Sequence, residues 1–89
     1  MNKRILVERQ LRALAGRKRL EIISYLKKNK SSSSANIAKR IGLSRQATSQ
    51  HLSILASANI VTFKKRGLFV TYRLFVPQSS IVRKVLQEL

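Results

Sequence analysis

The chain has 89 residues, with 19 Lys or Arg against three acids, a net charge of +16, 44% hydrophobic residues and no cysteine. That length allows one small domain, residues 1–89, and excludes two. The apolar content excludes a disordered chain, and the lack of cysteine excludes disulfides, thiol switches and thiolate metal sites. So large a cation excess favours polyanions, because Lys and Arg release counterions from DNA or RNA on binding.

The first twenty residues, MNKRILVERQLRALAGRKRL, carry a charge every few positions. That pattern suits neither a secretion signal nor a membrane span, and the expectation is a cytoplasmic protein with no membrane partner. Over residues 3–15 the apolar residues Ile5, Leu6, Val7, Leu11 and Leu14 fall at helical spacing and predict a first helix with one broad apolar stripe. Gly16 ends it. A second helix is predicted over residues 17–28, with Leu20, Ile22, Ile23 and Leu26 inward and Lys27, Lys28 and Lys30 at its end, where cations suit the helix dipole.

The run SSSS at residues 31–34 reads as a short loop ending in a cap, Ser33, with Asn36 three residues on as a weak capping box. A short third helix follows, with Ala35, Ile37, Ala38 and Ile41 inward, and Gly42 closes it. After the turn Gly42-Leu43-Ser44, Ser44 caps a fourth helix whose inward positions are Thr48, Leu52 and Leu55, flanked by His51 and Ala56. Asn59 stops it by taking the left-handed conformation.

Beyond Asn59 the period changes to two. IVTFKK and LFVTYRLF alternate in the manner of strands, joined through Arg66-Gly67 as a two-residue turn, with Lys64, Lys65 and Arg66 at the tip. Pro77 closes the second strand, and Ser80, or Ser79 before it, starts a last helix over residues 80–89 carrying Ile81, Val82, Val85, Leu86 and Leu89. The fold class is mainly α with a small β-hairpin, in the order α-α-α-α-β-β-α. The third and fourth helices with their tight turn make a helix-turn-helix, and the basic hairpin makes it winged.

The residues Arg19-Leu20, Ile22-Ile23, Leu26, Ile37-Ala38, IGLS, SQHL, ANIV and GLFVTYRL carry a resemblance to the ArsR-type winged helix-turn-helix repressors. It covers residues 13–74, and its most specific part is Ser49-x-His51-Leu52 followed by Leu55 and Tyr72-Arg73-Leu74. The resemblance implies a homodimer that binds operator DNA with two recognition helices. It also implies a metal sensor, which this chain does not carry through. The third helix, SANIAKRI, has no ligand, and the last, SSIVRKVLQEL, has only Glu88, whereas a zinc-type site needs three or four converging ligands. No cofactor and no metal are expected.

The fourth helix is then the candidate reader of double-stranded DNA. Arg45, Gln46, Ser49, Gln50 and Ser53 lie opposite its apolar positions, and N-terminal residues of a recognition helix meet base edges. Arg45 suits guanine, and Gln46 or Gln50 suits adenine. Ser44 and the amides behind it suit a phosphate. Lys39 and Arg40 on the third helix and Lys64, Lys65, Arg66 and Arg73 on the wing suit the backbone, and Arg66 also suits a minor groove. The lone His51 reads as a packed or hydrogen-bonded boundary residue rather than a metal ligand.

The terminal helices, residues 3–15 and 80–89, are expected to form a dimer interface through Ile5, Leu11, Leu14, Ile81, Val85 and Leu86. The favoured function is a transcriptional regulator, a repressor acting as a homodimer on palindromic DNA in a prokaryotic, nucleoid-associated setting. The alternatives are an architectural DNA-coating protein and an RNA-binding winged helix. An enzyme lacks support: there is no acid pair, no cysteine and no glycine-rich phosphate loop.

Overall fold

The structure is a computed structural model that describes residues 2–89. Helix α1 spans Lys3–Leu14, α2 Arg17–Asn29, α3 Ser34–Ile41, α4 Arg45–Ser57 and α5 Ser80–Gln87; the strands are β1 Ser31–Ser33, β2 Val61–Arg66 and β3 Phe69–Leu74. Among the described residues these make five helices and a three-stranded antiparallel sheet arranged β1-β3-β2.

Local chemistry sets most of the boundaries. Asn2, Ser33, Ser44 and Ser79 each accept a hydrogen bond from an amide in the first turn of the following helix, which satisfies a donor that the helix itself leaves free. Ser79 is thus the cap of α5. Gly42, at φ 77, closes α3 in the left-handed conformation and sends its N–H to the Ala38 carbonyl at 3.0 Å. Asn59, at φ 57, turns the chain out of α4 and into β2.

Ile22, Ile23 and Leu26 of α2, Ile37 of α3, and Thr48, Leu52 and Leu55 of α4 meet in the core with Ile60, Val61 and Val82. Among the described residues no buried side-chain nitrogen or oxygen lacks a partner. One buried polar link was not foreseen. Gln10, 3% exposed, donates to the Ala58 carbonyl at 3.0 Å and accepts from the Ser79 hydroxyl at 2.7 Å. It ties α1 to the end of α4 and to the start of α5.

Several expectations are corrected. The serine run is a strand as well as a cap: Ser31, Ser32 and Ser33 pair with Arg73, Tyr72 and Thr71, because β3 offers them a free edge. The hairpin turn is Gly67-Leu68, since Arg66 pairs with Phe69. Gly67 holds φ 58, as the first central residue of a type II′ turn does. Ala35 is exposed, leaving Ile37, Ala38 and Ile41 as the inward face of α3.

The single stripe on α1 is split. At 100° per residue Ile5 lies about 120° around the helix from Leu11. Ile5 shares a groove with Ile54 of α4, whereas Leu11 and Val7 line another. Leu14 and Leu86, placed at a dimer interface from their spacing, are each 5% exposed and lie in the protomer's own core. That burial leaves a partner almost none of their surface.

Candidate nucleic-acid interface

The outer side of α4 is presented by the way its inner side is held. Thr48 is fully buried and sends its hydroxyl to the Ser44 carbonyl at 2.8 Å, while Ser44 accepts from the Ala47 amide at 3.0 Å. Leu52 and Leu55 have no exposure. His51 is half-buried on the flank, where the Arg19 guanidinium, 3.0 Å from its Nδ1, fixes it. A guanidinium can only donate, so Nδ1 accepts and the ring carries its proton on Nε2. Arg19 also donates from Nε to the Ala13 carbonyl at 2.6 Å, so one side chain joins the end of α1 to α4. Gly16 makes room for it: a Cβ there would lie 3.0 Å from the Arg19 guanidinium.

With that seat, Gln46, Ser49, Gln50 and Ser53 line one groove on the outer face of α4, together with Ile54. Arg45 opens the helix beside them, and all of these are exposed. Two amides and two hydroxyls on one helical face can exchange hydrogen bonds with base edges, and the small serines allow close approach. Ser44 holds the helix N-terminus, where the remaining free amides favour an anion.

Lys39 and Arg40 are exposed on α3. The Arg40 guanidinium lies over the Tyr25 ring, 5.9 Å from its centroid, which restrains it without removing its donors.

The wing cations divide between two faces. Residues paired across a ladder share a face. Lys64 opposite Thr71, Arg66 opposite Phe69 and Thr62 opposite Arg73 therefore form the outer face, with Ser31 beyond Arg73. Ser31, Thr62, Lys64, Arg66, Thr71 and Arg73 line a groove there. Lys65, opposite Val70, belongs to the other face, with Phe63 and Tyr72. Those two rings touch at 5.6 Å between centroids, and burial raises the Tyr72 phenol above its ordinary value.

Two of the acids are held in ion pairs, and Glu21 lines a groove with Tyr25 and Arg40. Glu8 pairs with Arg12 on α1 and Glu21 with Lys18 on α2, and no acid occurs at residues 22–87. Among the described residues no three His, Cys, Asp or Glu side chains gather as a metal site would require.

Sequence reasoning missed four features here. Ile54 is 42% exposed on α4, the one large apolar residue beside the polar groove. Leu68 and Phe69 are 99% and 73% exposed at the wing tip, because the turn lies one residue later than expected. Lys18 donates to the Ile41 carbonyl at 3.0 Å and Lys27 to the Leu86 carbonyl at 2.7 Å. These two cations therefore cap the C-termini of α3 and α5 while staying open to solvent. Only the spacing of cations is visible in a sequence, and spacing does not show which carbonyl a lysine reaches.

A family model for winged helix-turn-helix DNA-binding domains matches residues 17–62, more than half of the chain. No curated protein matches the sequence. Among solved structures, HlyU from Vibrio cholerae N16961 is similar at 30% identity over 99% of this chain and 92% of its own, with a TM-score of 0.81. NolR from Sinorhizobium fredii is 31% identical over 97% of this chain and 82% of its own, with a TM-score of 0.80. The homodimeric winged helix-turn-helix DNA-binding domain Mb0332 from Mycobacterium bovis, a possible ArsR-family transcriptional regulator, shares the fold. It has a TM-score of 0.81 at 24% identity, over 99% of this chain and 83% of its own.

Proposed function

The chain belongs to the winged helix-turn-helix DNA-binding family, among its ArsR-like transcriptional regulators and not among enzymes, and from that premise we propose that it is a homodimeric repressor reading palindromic operator DNA. The carrying observation is the outer face of α4, where Gln46, Ser49, Gln50 and Ser53 stand together and exposed on a helix whose opposite face is locked in the core. The cations of α3 and the wing supply phosphate contacts beside it. Occupying an operator with this face excludes polymerase from the same DNA.

The dimer reading rests on the apolar surface that one protomer leaves uncovered. Leu11 is 51% exposed, and Val7, Ile81 and Val85 are only partly buried. Ile5, also 51% exposed, lies apart from this surface, in the groove it shares with Ile54 of α4. The same fold is homodimeric in the Mycobacterium bovis domain. Two-fold symmetry of the protein then asks for a palindrome. Regulation without a metal or thiol input is part of the proposal: the chain has no cysteine and one histidine, and that histidine is engaged by Arg19.

Selection from a random duplex library at physiological salt, with random RNA in parallel, tests this reading. A regulator should recover a short palindrome and prefer it over random DNA by ~10³-fold or more. Gln50→Ala should relax the preference at one base position, at about 1–3 kcal/mol. Lys64→Ala and Lys65→Ala should weaken all sequences alike and lower the salt slope by about 1 each. Recovery of no motif, with a steep salt dependence, would make this an architectural coat protein. Preference for RNA would move it to the RNA-binding winged helices.

A further inference from the structure

We propose that Leu68 and Phe69 form an apolar wedge at the wing tip that enters the minor groove of the bound duplex and unstacks one base step; this rests on the reading of the chain as a DNA-binding regulator. Apolar support along the wing fades from base to tip. Val61 is buried opposite Leu74 at the base, and Phe63 and Tyr72 touch each other midway. Leu68 and Phe69 touch the core nowhere and stand 99% and 73% exposed. Gly67 causes this placement: its positive φ starts the turn, so Leu68 becomes the outermost side chain and Phe69 the first residue of β3.

What surrounds the tip points to its partner. Arg66 pairs with Phe69 across the ladder, and Lys64, two residues back, shares their face. Lys65 flanks the tip on the other face. Cations on both faces of an apolar point match a narrow groove walled by two phosphate backbones. There Arg is drawn by the enhanced negative potential, and apolar side chains wedge between base steps. The minor groove is about 6 Å wide, too narrow for a two-stranded ribbon but wide enough for one Leu or Phe side chain projecting from its end. The polar face of α4 gives the same DNA a major-groove contact, so the tip continues an interface already in place. The site should then carry a flexible pyrimidine–purine step where the wing lands.

The test uses the full chain and the duplex it recovers from the random library, with 2-aminopurine placed at successive adenines and a fluorophore at each end. The expected result is a rise in 2-aminopurine emission at one step in each half-site and a shortened end-to-end distance. The pair of substitutions Leu68→Ala and Phe69→Ala should abolish both signals and weaken binding at least about tenfold, leaving the salt slope unchanged because the cations remain. Leu68→Lys separates a wedge from a backbone contact: the added cation can still meet phosphates, but it cannot unstack a base step, so the 2-aminopurine signal should fall whatever the affinity does. The proposal is overturned if the double variant bends and unstacks the selected duplex as the parent does, or if Leu68→Lys keeps the parent's 2-aminopurine signal. Recovery of no motif by the unsubstituted protein overturns the DNA-reading function itself, whereas a motif bound without unstacking overturns the wedge alone.

Discussion

Replacing Gln10 with Leu isolates the polar link between α1, α4 and α5. The side chain is 3% exposed, and both ends of its amide are used, toward the Ala58 carbonyl at 3.0 Å and from the Ser79 hydroxyl at 2.7 Å. Leucine fills nearly the same volume, so little cavity forms and the cost falls on the groups left behind. Ala58 is fully buried, and its carbonyl would lose the Gln10 donor. An orphaned buried acceptor costs about 1–3 kcal/mol. Ser79 is less enclosed and keeps its bond from the Val82 amide at 3.2 Å, so water can replace Gln10 there at small cost. The expected destabilisation is about 2 kcal/mol.

Urea unfolding at fixed protein concentration reads this directly. With a slope of roughly 1 kcal/mol per molar for a small domain, the midpoint should fall by about 2 M with the slope unchanged. Ser79→Ala removes a helix cap, at about 1 kcal/mol, and the same bond to Gln10. The double substitution should therefore cost less than the sum of the two. If Gln10→Leu unfolds within about 0.5 kcal/mol of the parent, the spread of a neutral surface change, the link holds nothing together and the reasoning fails.

Two further outcomes follow from the placement of apolar and aromatic residues. Leu14→Ala should cost about 2–5 kcal/mol of fold stability, whereas Leu11→Ala should leave each protomer folded and shift the proposed dimer toward monomer in sedimentation equilibrium. The opposite pattern would return Leu14 to the interface. The Tyr72 phenol is raised above its ordinary value of 10.0 by burial, so folding favours its neutral form. The stability it contributes is complete below that value and is lost as pH rises through the folded value. Urea midpoints should accordingly fall more steeply above pH 10 in the parent than in Tyr72→Phe, and identical profiles would place the phenol in water.

Helix α4 was the most legible part of the chain. Ser44 before it, Asn59 after it and Thr48, Leu52 and Leu55 along it are local signals, and local signals set caps and inward faces. What escaped depends on contacts distant in sequence. Four serines show no alternation of polarity, and Ser31–Ser33 become a strand only because β3 lies beside them. The turn slipped by one residue because Gly67 fits either central position. The register follows from Val61 against Leu74 and Phe63 against Tyr72 on the core side, where a one-residue slip would turn those residues outward. Leu14 and Leu86 were legible as apolar but not as belonging to their own protomer's core, since periodicity names a buried face without naming what buries it.

Ser33 belongs to two elements at once. It is the last residue of β1, paired with Thr71, and its hydroxyl caps α3. At Ser33 the sheet that carries the wing and the helix pair that carries the proposed recognition face therefore meet with no slack residue between them, and the short turn through Asn59 joins α4 to β2 as well. Tilting one must turn the other. In the proposed complex the protein works as a fixed caliper: the distance from the major-groove contact to the wing contact is set by the fold, and one base pair inserted between those two points on the DNA would break one of them.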